Sequence, residues 1–189
     1  MVDLSIILSG RIIFEFMNLH VIAYPEFAPA DFQKIQLFRK DYNSLYNIIA
    51  SHFTIVFSIP DIPGSDFISE VKKQVDEVSI INFNLRCAVI NKDSFSNNYD
   101  AFLVPDEGFG RITKLHDKLY SDKFSVHHRL DISYIPHISI ANSSDAKKIK
   151  NIVDEWNKDD FEIKGTIASL DVINYENRVI TTIEKINLK

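Results

Sequence analysis

Two short segments of the sequence place a hydroxyl side chain two residues after a histidine. "SHFTIVFS" holds His52 and Thr54, and "YIPHISIAN" holds His137 and Ser139. Both segments resemble half-buried strands, in which residues i and i+2 point to the same face. Each segment therefore presents an imidazole and a hydroxyl together, and such a pair can bind adjacent oxygens of one phosphate.

Two imidazoles around one phosphorus would support acid–base chemistry without a metal. The unperturbed pKa of histidine is about 6.5, so one ring can be neutral and the other protonated near neutral pH. One histidine in a strand is most often structural, so a single motif of this kind is weak support for a site. Two motifs, with their histidines 85 positions apart and each followed by apolar residues and a helical pattern, favour a shared site.

The elements that would position these motifs occur in two halves of the same order, β-α-β-α-β. The first half predicts a strand at 19–24, a helix from Pro29, a strand from His52, a helix with Ser65 as its N-cap, and a strand at 81–91. The apolar stripe of the first helix is expected to comprise Phe32, Ile35, Phe38, Tyr42 and Leu45.

The second half repeats this order. It predicts a strand at 99–105, a helix marked by Leu115, a strand at 135–141 and a helix that ends near Trp156. Two final strands, "FEIKGTIASLDVIN" and "RVITTIEKINL", are expected on either side of a hairpin turn at "YEN". If the two halves pack about a pseudo-twofold axis, the matching histidines face each other across one groove.

The two histidine segments resemble the signature motifs of a known superfamily. "HFTIVF" and "YIPHISIAN" are similar to the paired motifs of the 2H phosphoesterases, which include 2'-5' RNA ligase-like proteins and cyclic nucleotide phosphodiesterases. "FRKDYNSLYNIIASHFTIVF" and "GFGRITKLHDKLY" resemble the 2'-5' RNA ligase-like branch. The resemblance covers about residues 17–189. Two departures are Ser51, where proline is common, and Ser139, where threonine is common.

This resemblance carries expectations about fold and site. It implies an α+β fold in which two pseudo-symmetric βα lobes carry antiparallel sheets that face a central cleft. It implies that His52 and His137 are the catalytic pair and that Thr54 and Ser139 bind the phosphate. Residues 17–189 would form the single two-lobed domain, preceded by an extension of unknown role at 1–16 in which Met17 marks a plausible original start.

The activity implied is that of a metal-independent phosphodiesterase in RNA processing. Its substrates would be small nucleotides or RNA ends with 2',3'-cyclic phosphates or 2'-5' phosphodiester bonds, and the reverse reaction would be 2'-5' ligation. No cofactor is expected. An alternative is a binding module that holds RNA ends or nucleotide phosphates without turnover, and a third is a protein whose groove contacts another protein.

The composition further limits the class of protein and its location. The 189 residues carry a formal net charge of −5, which argues against a protein that coats long nucleic acid by charge alone. The single cysteine excludes a disulfide within the chain and favours a cytoplasmic location. No apolar stretch approaches the ~20 residues that span a bilayer.

The remaining histidines and aromatic residues give weaker signals. His127 and His128 are expected at the rim of the groove, and His20 and His116 are expected to be structural. The sequence has no His-x-x-x-His or comparable carboxylate cluster, so no metal site is predicted. Tyr134, three positions before the second motif histidine, is the candidate for a substrate contact such as base stacking.

Overall fold

A computed structural model describes residues 18–189 of the chain. Its strands are β1 (Leu19–Ala23), β2 (Glu26–Phe27), β3 (Phe53–Ile59), β4 (Ile81–Lys92), β5 (Tyr99–Glu107), β6 (Ile138–Ser143), β7 (Ile163–Ile167), β8 (Ser169–Glu176) and β9 (Val179–Asn187). The helices are α1 (Pro29–Tyr42), α2 (Gly64–Val75), α3 (Phe109–Leu119) and α4 (Ala146–Trp156), with a 3-10 helix at Asp122–His127. The expected extension at 1–16, and Met17, lie outside the described residues.

The strands form two antiparallel sheets, which confirms the predicted α+β class. One sheet has the order β3-β1-β8-β9 and the other the order β2-β7-β4-β5-β6. The two halves exchange strands, because β4 of the first half pairs with β5 of the second and β8 of the second half pairs with β1 of the first. Helices also cross over, since α1 contacts β6 and α3 contacts β3. Each motif strand is thus supported by a helix from the other half.

The predicted strand "FEIKGTIASLDVIN" is two strands in different sheets. β7 belongs to the five-stranded sheet and β8 to the four-stranded sheet, and the chain changes sheets at Ala168. The Ala168 carbonyl accepts a hydrogen bond from the Leu188 N–H (2.9 Å). No glycine or proline stands at this break, so the sequence carried no turn signal there. The hairpin turn also lies later than predicted, at Asn177 and Arg178, both with positive φ.

The helices differ from their predicted patterns in two respects. Pro63, rather than Ser65, occupies the N-cap position of α2. The buried residues of α1 are Ile35 and Arg39, whereas Phe32 and Tyr42 of the expected stripe are exposed. The inward face of α1 therefore holds a charged side chain. Among residues 18–189 no helix is long and apolar enough to cross a membrane.

An aromatic cluster joins the two sheets directly behind the first motif. The Phe83 ring packs edge-on against Phe53 (5.0 Å between centroids) and against Phe27 (5.8 Å). Gly165 makes room for this cluster, because a Cβ there would lie 2.3 Å from the Phe83 ring. Since Phe53 directly follows His52, this packing fixes the start of β3.

We expect Gly165→Ala to lower the free energy of unfolding by about 1–3 kcal/mol, because the aromatic rings must shift to admit the methyl group. Gly110→Ala is the matched control, since a Cβ at Gly110 meets nothing within 4 Å. Urea unfolding of both variants measures the difference. Equal stability of the two variants would contradict this account of the cluster.

Candidate active site

The two motifs occupy equivalent places in the two sheets. His52 directly precedes β3 and His137 directly precedes β6, and each strand is the edge of its sheet. Thr54 and Ser139 are the second residues of these strands. All four side chains are half-buried. β3 therefore begins one residue later than predicted, and β6 begins three residues later. The two-residue spacing still places each imidazole beside its hydroxyl.

Each imidazole is held by the same hydrogen bond. His52 Nδ1 lies 2.9 Å from the carbonyl oxygen of Ala50, and His137 Nδ1 lies 2.6 Å from that of Ile135. A carbonyl oxygen can only accept, so Nδ1 carries the proton in both rings. Nε2 is then the free nitrogen, which accepts a proton in the neutral ring and donates one in the charged ring. This tautomer suits a general base or a general acid.

Aromatic side chains fix the planes of both rings. His137 stacks on Phe102 with centroids 3.6 Å apart and planes 13° apart. His52 meets Tyr24 edge-on at 6.3 Å. Phe102 on β5 is the direct cross-strand partner of Ser139 on β6. Phe102 therefore lies next to both His137 and Ser139 of the second motif.

Burial lowers the pKa of both histidines to about 4. For His52, the positive charges of Arg39, of a protonated His137 and of a protonated His20 lower the pKa further. Both rings are therefore neutral at pH 7. Since the unfolded chain takes up the two protons near pH 6.5 and the folded chain near pH 4, the free energy of unfolding falls as the pH drops between these values.

Arg39 on α1 connects the two motifs and was not predicted as a site residue. Its side chain is 1% exposed. The guanidinium donates to the Ser139 carbonyl oxygen (3.2 Å), to the Ile49 carbonyl oxygen (2.8 Å) and to Gln36 Oε1 (2.8 Å). The same Gln36 oxygen accepts from the Ser51 N–H at 3.2 Å. One side chain thus holds β6 and the segment that leads into His52.

The charge of Arg39 is not neutralised by an acidic partner within residues 18–189, where its hydrogen bonds go to carbonyl and amide oxygens. Desolvation lowers the pKa of the Arg39 guanidinium, yet arginine remains charged at any physiological pH. A buried cation of this kind raises the positive potential next to both motifs. The sequence held a signal for it, because Arg39 follows Ile35 by four residues and so shares the buried face of α1.

Asn43, at the end of α1, orients the hydroxyl group of Ser139. Its Nδ2 donates to the Ser139 carbonyl oxygen (3.1 Å) and to Ser139 Oγ (3.2 Å), while its Oδ1 accepts from the Leu45 N–H (2.9 Å). Because Asn43 fills an acceptor position of Oγ, the hydroxyl hydrogen of Ser139 is free to donate to a ligand.

An apolar pocket of about 170 Å³ adjoins the first motif. His20, His52 and Thr54 contribute to its wall. We call this cavity the aliphatic pocket. Its aliphatic side chains are those of Ile22, Leu45, Ile48, Ile49, Ile173 and Ile180. No charged side chain lines it, so the pocket suits a flat or apolar group.

Tyr134 lies behind the first motif. Its hydroxyl donates to the Thr54 carbonyl oxygen (3.0 Å), and its ring stacks on His116 with centroids 3.6 Å apart. His116 Nδ1 lies 2.7 Å from the Ile55 carbonyl oxygen. These bonds brace the free edge of β3, in agreement with the structural role predicted for His116. A direct contact of Tyr134 with substrate stays a prediction.

A second groove, of about 550 Å³, lies beside the aliphatic pocket. His20 and Phe57 border both cavities. His127 and His128 line the second groove, and neither His52 nor His137 belongs to its lining. The structure therefore places these two histidines in a different cavity from His52.

Two lobes that each present a histidine and a hydroxyl at an edge strand define the 2H phosphoesterase class. A model of the 2'-5' RNA ligase superfamily matches residues 24–178, which is most of the chain. The chain belongs to the 2'-5' RNA ligase superfamily. No curated protein sequence matches the chain closely enough to count as a relative.

Solved structures share the fold at low sequence identity. E. coli LigT in apo form is 12% identical, with 93% of this chain and 99% of LigT covered and a TM-score of 0.57. TT0787 of Thermus thermophilus is 13% identical, with 91% and 98% covered and a TM-score of 0.58. E. coli LigT complexed with 3'-AMP aligns with a TM-score of 0.56 at 12% identity, with 93% and 99% covered. These similarities confirm the two-lobed architecture.

We expect Arg39→Met to raise the pKa of His52 more than that of His137, because the Arg39 charge acts on the first ring. Lys40→Met is the matched control, since Lys40 is the adjacent, exposed cation of α1. NMR titration of the imidazole resonances measures both values in each variant. An unchanged His52 pKa in Arg39→Met would show that the guanidinium does not act on the ring.

Proposed function

We propose that this chain is a metal-independent phosphodiesterase that acts on RNA-derived 2',3'-cyclic phosphates or 2'-5' phosphodiester bonds. His52 and His137 form the acid–base pair, and Thr54 and Ser139 bind the phosphate. The two-lobed unit within residues 17–189 carries the activity. A cytoplasmic location stays a prediction from the cysteine content.

One observation carries the proposal. Both motif histidines bind a main-chain carbonyl two residues earlier through Nδ1, so both Nε2 atoms are left for a ligand. A binding protein for phosphate would be served by lysine or arginine, whose charge is permanent. Two neutral imidazoles with matched tautomers are instead suited to moving protons.

The proposed hydrolysis of a 2',3'-cyclic phosphate is a single in-line displacement. Nε2 of one histidine removes a proton from water, and the water oxygen bonds to phosphorus. The bond from phosphorus to one ribose oxygen breaks, and Nε2 of the other histidine, in its charged form, gives that oxygen a proton. Which histidine has which role depends on the direction in which the substrate lies. The reverse reaction on a ribose hydroxyl of another RNA end forms a 2'-5' bond.

The lowered pKa values make protonation depend on substrate. With an empty cleft both rings are neutral at pH 7, because burial holds their pKa values near 4. A phosphate anion between the rings favours the charged form and raises the pKa of one of them. The phosphate anion thus favours the charged imidazole, and that imidazole then gives its proton to the departing ribose oxygen. Thr54, Ser139 and the imidazolium then stabilise the negative charge on the phosphoryl oxygens.

The aliphatic pocket suggests how the rest of the substrate binds. It adjoins His52 and Thr54, and its volume of about 170 Å³ fits a nucleobase or ribose face. Its aliphatic side chains would contact the face of such a group, while the polar groups of its lining belong to His20, His52, Thr54 and Tyr175. E. coli LigT has been crystallised with 3'-AMP, a nucleotide with a phosphate on its ribose. Ligands of this type are the first to test on this chain.

The test is turnover of 2',3'-cyclic nucleotides and a 2'-5' linked dinucleotide in EDTA between pH 5 and 9. We expect kcat of the wild type to fall as the pH rises through the raised pKa of the imidazolium in the substrate complex. The acid limb of the profile, set by the ring whose pKa stays near 4, lies below this pH range. His52→Ala and His137→Ala should each lower kcat/KM by about 10²–10⁴-fold, because each removes one proton-transfer group. The double variant should be no worse than the weaker single variant, since the two histidines act as a unit.

His127→Ala is the matched control, because this half-buried histidine lies outside the pair and should leave turnover unchanged. Wild-type protein that binds 3'-AMP without turning over any substrate, and loses that binding in both single variants, would contradict the enzyme and favour the binding module. Turnover that survives both histidine substitutions would contradict any role for the pair.

A further inference from the structure

Three metal-ligating side chains converge outside the candidate active site. His116 and Asp117 belong to the last turns of α3, and His128 directly follows the 3-10 helix. One ligand atom from each lies within 4.8 Å of those of the other two. None of the three lines the aliphatic pocket beside His52. The sequence pattern did not indicate this cluster, because His128 comes 12 residues after His116 and the chain must turn back to bring them together.

The buried member of the cluster is oriented as a ligand. His116 is 2% exposed, and its Nδ1–H donates to the Ile55 carbonyl oxygen at 2.7 Å. Its Nε2 therefore carries a free lone pair. Histidines that bind metal ions in proteins almost always donate their other ring N–H to a carbonyl or carboxylate in this way. Stacking of Tyr134 on the His116 ring at 3.6 Å further fixes its direction.

The second imidazole is steeply inclined to the first. The His128 ring stacks on Tyr120 (4.7 Å, 16°) and meets His116 at 5.2 Å with planes 75° apart. The Tyr120 hydroxyl in turn accepts from the Phe57 N–H at 3.0 Å. Both histidines are thus supported by side chains that hydrogen-bond to β3, the strand of the first motif.

The local charges also suit a cation. Asp117 is exposed, and within residues 18–189 its carboxylate has no hydrogen bond or ion pair. The cation that follows His128 in the chain, Arg129, is paired with Asp131 through bonds of 2.8 and 2.7 Å. Two imidazoles and one carboxylate are therefore available with one net negative charge.

We propose that His116, Asp117 and His128 bind a divalent transition-metal ion, with Zn²⁺ the ion that suits the ligand set best. Two histidines and a carboxylate with a water in the fourth position is an established zinc arrangement. Zinc bonds of about 2.0–2.1 Å place ligand atoms roughly 3.4 Å apart, so the exposed Asp117 and the half-buried His128 move inward by about 1 Å. The ion would fasten the segment after α3 to the helix that braces β3.

The test uses the full chain stripped of metal with EDTA and dialysed, with Zn²⁺ alone as the probe. Isothermal titration calorimetry should show one bound equivalent for the wild type. His128→Gln and Asp117→Asn should each weaken the Zn²⁺ affinity at least tenfold, because each removes a ligand from the surface side of the site. Zn²⁺ should also raise the thermal unfolding midpoint of the wild type, since an ion that binds only the folded chain stabilises it.

His127→Gln is the matched control, because it removes an adjacent half-buried histidine that is outside the cluster. Its Zn²⁺ affinity should equal that of the wild type. No stoichiometric Zn²⁺ binding by the wild type, or an affinity that His128→Gln leaves unchanged, would overturn the proposal. Circular dichroism of each variant verifies that it is folded. Metal binding is measured without turnover, so its outcome is independent of the proposed phosphodiesterase activity.

Discussion

The buried guanidinium of Arg39 is the interaction on which the candidate site depends. It reaches β6 at the Ser139 carbonyl and the other motif through the Ile49 carbonyl and Gln36. Charge-assisted hydrogen bonds of this kind contribute about 1.5–3 kcal/mol each, and a carbonyl left without its buried donor costs a similar amount. The Arg39 side chain therefore links the two motifs directly, together with the Asn43 bond to the same Ser139 carbonyl, and its charge contributes to the local potential.

That potential links structure to the proposed chemistry. A buried cation and an apolar setting both disfavour a proton on His52, and burial alone does so on His137. The same cation attracts a phosphate anion. Binding of the anion offsets the forces that keep the rings neutral, so one of them gains its proton only with substrate present. The proposed mechanism therefore uses neither a permanent imidazolium nor a metal between the histidines.

The sequence predicted those strands and helices for which neighbouring residues form a recognisable pattern. Alternating apolar residues located β3 and β6, and the two-residue spacing placed Thr54 beside His52 and Ser139 beside His137. The inward face of α1 was predicted as apolar, but Arg39 occupies it, because Gln36 on the same helix and the carbonyl oxygens of Ile49 and Ser139 accept from its donors. Tertiary packing determines the change of sheets at Ala168 and the convergence of His116 with His128. Neither feature produces a periodic pattern in the sequence, so neither could be predicted from it.

The central claim is that both motif histidines are neutral, protonated on Nδ1, and that phosphate charges one of them. Long-range ¹H–¹⁵N NMR of the imidazole nitrogens at pH 7, recorded without and with 3'-AMP, measures this directly. We expect the neutral Nδ1–H form for His52 and His137 in the free protein, and the imidazolium form for one of them when the nucleotide is bound. A proton on Nε2 in the free protein, or two rings that remain neutral with bound nucleotide, would contradict it.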